Sequence, residues 1–310
     1  MTIATAKIAI LMCTYNGEKF IADQVDSIQQ QSHKEWTLYV SDDGSDDTTL
    51  EIIHQKFRNR KANECVFLKG PKQGFCQNFL SLACNKSIQA DYYAFSDQDD
   101  VWDKNKLHIA LSKLHNTENP DTPALYFGRS TYADEFLRPY ALSRKMTRPL
   151  GFKNAILQSV AGGNTILFNQ AAKRLIEKVG VVPAVSHDWW LYQLISGVHG
   201  NVYYDENSYI LYRQHENALV GGNTSLYSKC KRIFNVMNSQ FKGWCTQNIQ
   251  CFLIARPYFT AENNQLVDEL INIRKSNLYK RTLRIIKTGI YRQTTLGTLG
   301  IIVAVIFNRL

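Results

Sequence analysis

Two short acidic turns carry the residues best equipped for chemistry. In Phe95-Ser96-Asp97-Gln98-Asp99-Asp100, carboxylates two residues apart can hold a hard divalent cation through oxygen ligands, and such a cation can bridge a diphosphate. In Ser41-Asp42-Asp43-Gly44-Ser45, a second acidic turn is suited to hydrogen-bonding a pyrimidine base and a ribose. Each turn also has a plain structural reading. Asp97 and Asp99 could cap a helix that starts near Lys104, and the turn at Asp42 could cap one over Asp46–Phe57; both readings can hold together. No GxGxxG follows the first apolar run and no GxxxxGK[ST] occurs, so the two common phosphate-cradling loops are missing and another group must neutralise any bound phosphate.

The elements that must position these turns follow from the apolar pattern. Ile8–Cys13, Trp36–Ser41, Cys65–Lys69, Tyr92–Phe95 and Ala124–Phe127 read as strands, and Lys19–Gln30, Asp46–Phe57, Phe75–Ser87 and Lys104–His115 read as amphipathic helices. Strand-helix alternation predicts an α/β fold with a doubly wound, mostly parallel sheet and right-handed crossovers, in which ligands bind outside the carboxyl ends of the strands. The polar clusters obey that rule. Thr14-Tyr15-Asn16-Gly17 follows the first strand, Asp42-Asp43-Gly44-Ser45 the second and Asp97-Gln98-Asp99-Asp100 the fourth.

Taken together with Gly74-Phe75-Cys76-Gln77-Asn78-Phe79, Gly162-Gly163-Asn164, His187-Asp188-Trp189-Trp190 and Tyr212-Arg213-Gln214-His215, these motifs resemble the GT-A-fold glycosyltransferases of family 2, most closely the bacterial rhamnosyltransferase-like members. The resemblance covers residues 7–220 and is specific through the order and spacing of the set rather than any one element. It implies that Thr14, Tyr15, Asn16, Gly74, Asn78 and Gln98 line a nucleotide-sugar pocket, and that Asp42 or Asp43 binds the base. Asp97 would face the ribose or a metal ion, Asp99 would ligate the metal directly, and His215 would supply a second metal or diphosphate contact. The metal would be Mg²⁺ or Mn²⁺, the imidazole ligand favouring Mn²⁺.

The resemblance also singles out Asp188 as catalytic base. A sugar hydroxyl is a poor nucleophile at neutral pH, and a carboxylate within hydrogen-bond reach that takes its proton during attack lowers the barrier. Trp189 and Trp190 are expected as a platform for sugar faces that also partly desolvates Asp188, with Gly163 and Asn164 beside the acceptor. On pattern alone Asp188 could instead be a helix N-cap followed by two core tryptophans.

Composition sets the frame. The 310 residues are 45% hydrophobic and 12% aromatic, enough for a packed core and too apolar for a disordered chain. The net charge of +9 is concentrated: from Lys229 onward thirteen Lys and Arg stand against three Asp and Glu, whereas 1–228 is nearly neutral. That divides the chain into a catalytic domain, 1–228, and a basic, helical C-terminal region, 229–310. Leu296–Phe307 is the most apolar stretch, about a dozen residues against the roughly 20 that span a bilayer, and Arg281, Arg284, Lys287 and Arg292 precede it. The pattern predicts peripheral contact with a membrane, or packing on the catalytic domain, rather than a spanning anchor. Seven cysteines without a CxxC pair favour a reducing compartment, and the first seven residues are too short and polar for a signal peptide.

The expected activity is therefore an inverting, metal-dependent sugar transfer from dTDP-rhamnose or a UDP-sugar to a saccharide acceptor, free or lipid-linked, at the cytoplasmic membrane face, with no nucleic-acid partner. Two rivals are a sugar nucleotidyltransferase, which would want a Gly-rich, Arg- or Lys-bearing loop after the first strand, and a saccharide-binding scaffold on a decayed fold.

Overall fold

The computed structural model describes residues 3–58, 64–115, 119–215 and 239–310. They group into two compact units. The first takes the described residues up to Lys145 with Ala161–Val181 and 201–215, and the second takes Met146–Val160, Val182–Gly200 and 239–310. The chain passes between the units more than once, so 146–160 and 182–200, which the sequence assigns to the first 228 residues, group with the C-terminal helices instead.

The first unit is built on one nine-stranded sheet: β1 (Ile8–Thr14), β2 (Trp36–Asp42), β3 (Cys65–Lys69), β4 (Tyr92–Ser96), β5 (Val101–Trp102), β6 (Ala124–Ala133), β7 (Pro139–Leu142), β8 (Leu167–Asn169) and β9 (Asn201–Arg213). The spatial order is β3-β2-β1-β4-β8-β6-β9-β5, with β7 paired to β6. β3, β2, β1 and β4 run parallel, as expected. Beyond them the sheet is mixed: β8 is antiparallel to β4 and β6, β9 is parallel to β6, and β5 is antiparallel to β9.

Every residue of β1 is buried, as a parallel strand covered on both faces must be. Ile8, Ile10 and Met12 join Leu38 and Val40 in a core closed by Ile21, Val25 and Ile28 of α1 (Ile21–Gln29), Ile53 of α2 (Thr49–Phe57) and Leu107 and Leu111 of α4 (Lys106–His115). α3 (Phe75–Cys84) and α6 (Gln170–Val179) complete the unit, the latter capped by Asn169, whose side chain accepts from the Ala172 amide at 2.9 Å. The four helices that the apolar pattern predicts, α1 to α4, are each shorter than expected.

The second unit contains α5 (Phe152–Ala155), α7 (His187–Gly197), α8 (Ser239–Ala255), α9 (Ala261–Lys275), α10 (Leu278–Thr288) and α11 (Thr295–Ile306). Thr260, Asn277 and Thr294 cap α9, α10 and α11 by accepting from the amides of Asn263, Lys280 and Gly297, each satisfying a donor that a helix start leaves open. Among the described residues no helix is long and apolar enough to cross a membrane.

Candidate active site

Parallel pairing brings the ends of the central strands to one edge: Thr14 lies beside Asp42, Asp42 beside Lys69 and Met12 beside Ser96. Three loops leave this edge and are laced together. The Gln98 side chain pairs with the Tyr15 backbone in both directions, accepting from its N–H at 2.9 Å and donating to its carbonyl at 3.0 Å. Gly17 sits directly against that amide, since a Cβ there would lie 2.5 Å from Gln98 Oε1. Asn16, at φ 46°, donates its amide to Ser45 Oγ and accepts from the Asp46 amide, both at 3.0 Å. Tyr15 is left 59% exposed.

Asp42 accepts four hydrogen bonds: from Thr14 Oγ1 (2.8 Å), Ser45 Oγ (2.6 Å), the Ser45 amide (2.8 Å) and the Gly44 amide (3.1 Å). Burial alone would raise its carboxyl, yet the bonds from Ser45, Thr14 and Gly44 outweigh it and hold the group below the ordinary carboxylate range. A carboxylate has about four acceptor sites, so Asp42 is saturated and organises the turn. Among the described residues Asp43 accepts from the amides of Lys72 (2.6 Å) and Gly74 (2.8 Å), which ties the loop before α3 to β2 and leaves acceptor capacity. Of the two candidates for base contact, Asp43 is therefore the one with sites to offer. Asn78, expected in the nucleotide pocket, is buried, with its amide bonded in both senses to Ser41 (2.5 and 2.9 Å); it clamps the end of β2.

The loop after β4 is built differently. Its helix-capping reading fails, because α4 begins at Lys106 and Asp103 serves its start, accepting from the Asn105 amide at 2.8 Å. Asp99 Oδ2 lies 2.8 Å from His215 Nε2, both side chains mostly buried. Asp100 is completely buried, accepting from Asn164 Nδ2 at 2.7 Å and from the Arg213 amide at 3.2 Å. Burial, reinforced by the charges of Asp99 and Asp97, pushes its carboxyl well above the usual range. The Asp97 charge also bears on Cys13 and Tyr212, which places it within the same cluster. Asn164, expected at the acceptor, instead supports Asp100, and Gly163 is buried next to it.

These residues fit a divalent cation. Asp99 and His215, an oxygen and a nitrogen donor, lie within hydrogen-bond distance of each other, and Asp97 and Asp100 add two more carboxylates beside them, the donor chemistry a divalent cation takes. Among the described residues, however, no three His, Cys, Asp or Glu are gathered as a ready ligand set, so the expected trio of Asp97, Asp99 and His215 reduces to the pair Asp99 and His215.

In the second unit, Asp188 lies in the first turn of α7. All ten other residues of that helix are buried, and Asp188 alone is partly exposed. Asp188 Oδ1 accepts from the Trp189 amide at 2.7 Å, and the N-cap position is Ser186. Trp189 and Trp190 do not form the expected sugar platform. Both are buried, Trp189 donating from Nε1 to the Ala155 carbonyl at 2.7 Å and Trp190 packing near Phe252, because a helix buried on all sides draws its aromatic residues inward.

Residues 9–175, more than half of the chain, match the model of the family described as glycosyl transferase family 2. The chain belongs to that family. This glycosyltransferase is 29% identical to the dTDP-rhamnosyl transferase RfbG of Shigella flexneri over 252 residues, which cover 74% of this chain and 81% of the relative. It is 31% identical over 108 residues to the Escherichia coli UDP-Glc:alpha-D-GlcNAc-diphosphoundecaprenol beta-1,3-glucosyltransferase WfgD, covering 34% of this chain and 40% of that one. Its fold is GT-A. It superposes on Staphylococcus aureus TarS 1-349 in complex with UDP-GlcNAc at a TM-score of 0.56 and 15% identity, covering 98% of this chain and 90% of that one. It superposes on the Pyrobaculum calidifontis mannosyltransferase in complex with GDP-Man and Mn²⁺ at 0.53 and 14%, covering 98% and 87%.

Three residues of the glycosyltransferase site escape the sequence reading. Arg213, buried at the end of β9, donates from Nε to the Asp99 carbonyl (2.8 Å), from Nη1 to the Glu135 carbonyl and from Nη2 to Asp23 Oδ2 (2.7 Å), pinning the acidic loop. Phe20 lies between Arg213 and His215, with ring centres 4.5 Å from the guanidinium carbon and 4.8 Å from the imidazole. Lys106 is buried with its ammonium 3.4 Å from the centre of the Trp102 ring; burial brings it down to about 7 against the opposing pull of Asp100 and Asp97. The only available signal was for Arg213, which lies inside a quoted motif; nothing local marks Phe20 or Lys106.

Proposed function

We propose that this glycosyltransferase carries out a metal-dependent, inverting transfer of a sugar from a pyrimidine nucleotide diphosphate, dTDP-rhamnose or a UDP-sugar, to a saccharide acceptor in bacterial surface-polysaccharide synthesis. The observation that carries the reading is the Asp99–His215 contact beside the buried Asp100, at the carboxyl end of β4 in a family 2 chain. The rhamnosyl donor is supported by the dTDP-rhamnosyl transfer in the name of the Shigella relative, and a lipid-linked acceptor at the cytoplasmic membrane face by the diphosphoundecaprenol in the name of the Escherichia coli one.

In this reading Asp43 accepts from the base, and Tyr15 covers the nucleotide from its exposed loop. Asp99 and His215 hold the cation, with Asp97 facing the ribose. When bound, the cation supplies Lewis-acid stabilisation of the charge that develops on the leaving diphosphate. Asp188 takes the proton of the acceptor hydroxyl as its oxygen bonds to the anomeric carbon. The bond from that carbon to the diphosphate oxygen breaks with its electron pair, and the configuration inverts without a covalent intermediate.

Calorimetric titration with dTDP, UDP, GDP and ADP, with and without Mn²⁺, tests the division of labour. Binding of a pyrimidine diphosphate that needs Mn²⁺, is lost in Asp99→Ala and is kept in Asp188→Ala is the expected result. Absence of nucleotide binding under every metal condition would sink the donor-site reading.

A further inference from the structure

The second unit leaves apolar surface in an ordered pattern. On α11 the exposed apolar residues are Leu296, Leu299, Val303 and Ile306, spaced three, four and three apart, so they form a single stripe along the helix that Phe307 continues at its C-cap, while Ile301, Ala304 and Val305 face inward. Leu296 is 79% exposed, the largest value among them. On α10 the same spacing recurs: Tyr279, Leu283 and Ile286 are exposed at i, i+4 and i+7, and only Ile285 is buried. Displaced by one residue, and therefore by about 100° around the helix, runs a cationic row of Lys280, Arg284 and Lys287. The two helices touch where the Arg281 guanidinium donates to the Ile306 carbonyl.

Charge supplies the second argument. Residues 239–310 contain three carboxylates, and each already has a cation: Glu262 with Lys153 (3.4 Å), Asp268 with Arg256 (2.6 Å) and Glu269 with Arg284 (2.7 Å). Lys280 and Lys287 have no ion-pair partner among the described residues. The segment therefore presents positive charge it cannot neutralise itself, beside apolar side chains that gain by leaving water.

We infer that the exposed face of α10 and α11 docks on an anionic lipid bilayer, the leucine stripe entering the headgroup boundary and Lys280 and Lys287 meeting lipid phosphates. A helix of the length of Thr295–Ile306 extends about 18 Å, too short for a hydrocarbon core of about 30 Å, so α11 lies in the interface rather than across it. The inference deepens the proposed membrane-side acceptor by naming the surface, but it does not depend on catalysis.

The test pellets the full-length protein with vesicles of phosphatidylglycerol in phosphatidylcholine, and of phosphatidylcholine alone, at low and high salt. The wild type is expected to pellet with the anionic vesicles and to be partly released by salt, because cation–headgroup attraction is screened. Leu296→Glu with Leu299→Glu is expected to lower binding by at least about tenfold, and Lys280→Glu with Lys287→Glu to abolish the preference for anionic lipid. All four positions are exposed, so thermal melts should match the wild type. The inference is overturned if the wild type stays in solution with anionic vesicles, or if the leucine variant pellets like the wild type. It is also overturned if light scattering shows a dimer that the leucine variant loses while vesicles recruit neither protein, which assigns the face to a second copy. The vesicles carry no saccharide and no turnover is read, so failure here leaves the transfer reading standing.

Discussion

The turns at Asp42–Ser45 and Asp97–Asp100 look alike in sequence, each an acidic cluster just past a parallel strand, and the structure gives them opposite characters. Asp42 is saturated by four donors and held below the ordinary carboxylate range. Asp100 receives two donors, lies in full burial beside two more carboxylates and is pushed the other way. The first turn has satisfied its charge internally and serves as scaffold, with Asp43 left to offer acceptor sites. The second crowds a buried carboxyl that has two donors against two further carboxylates, the feature on which the proposed cation site rests. Donor supply, more than the presence of carboxylates, separates a structural acidic turn from a chemical one.

Mutations test this contrast. The largest effect is expected outside both turns: Asp188→Asn should lower kcat by about 10²–10⁴-fold while leaving nucleotide affinity unchanged, a split that steady-state kinetics and calorimetry read together. Next is Asp99→Ala. Loss of a residue that merely orients a metal ligand costs about 10–100-fold in affinity, so removal of the ligand itself should weaken Mn²⁺-dependent nucleotide binding at least that much, with little change in the melting temperature.

Asp42→Ala should reverse that pattern. Leaving four donors without their acceptor is expected to cost about 1–3 kcal/mol of stability in a denaturant titration, with metal affinity nearly intact. If Asp42→Ala instead abolished metal-dependent binding while leaving stability unchanged, the contrast between the turns would collapse. The pH dependence has a definite sign. Because the folded-state Asp42 carboxyl is depressed, its contribution is present above the unfolded value of about 3.9 and is lost as pH falls through the lower folded value. The stability gap between wild type and Asp42→Asn should therefore narrow below about pH 4, as acid unfolding monitored by circular dichroism would show. The smallest effect is expected from Gly17→Ala, whose added Cβ must displace the Gln98 amide from Tyr15. A cost of about 1 kcal/mol and a few-fold rise in donor KM, with kcat unchanged, is the expected result.

Much of the architecture was legible because it rests on local periodicity. The apolar runs at Ile8, Trp36, Cys65 and Tyr92 marked the parallel strands, and the placement of polar clusters after three strands marked the edge where they converge. The later strands were harder to read: β8 has only three residues and β5 two, too short to show a period, and the antiparallel return of β8 between β4 and β6 has no local signature. The tryptophans after Asp188 illustrate the same limit, since an aromatic pair on a helix reads identically whether it faces a sugar or a core. Only the packing of α7 on Ala155 and Phe252 decides it.

Residue types, strand ends and the basic, helical character of the C-terminal region were legible from the sequence, because these depend on neighbours within a few positions. The tertiary structure decided what each carboxylate does, because its partners come from far along the chain. Thr14 reaches Asp42 across 28 positions, Asn164 reaches Asp100 across 64, and His215 meets Asp99 across 116. Hydrogen bonding and burial act over a few ångströms in space, whatever the separation in sequence, and they alone separate the saturated turn from the crowded one.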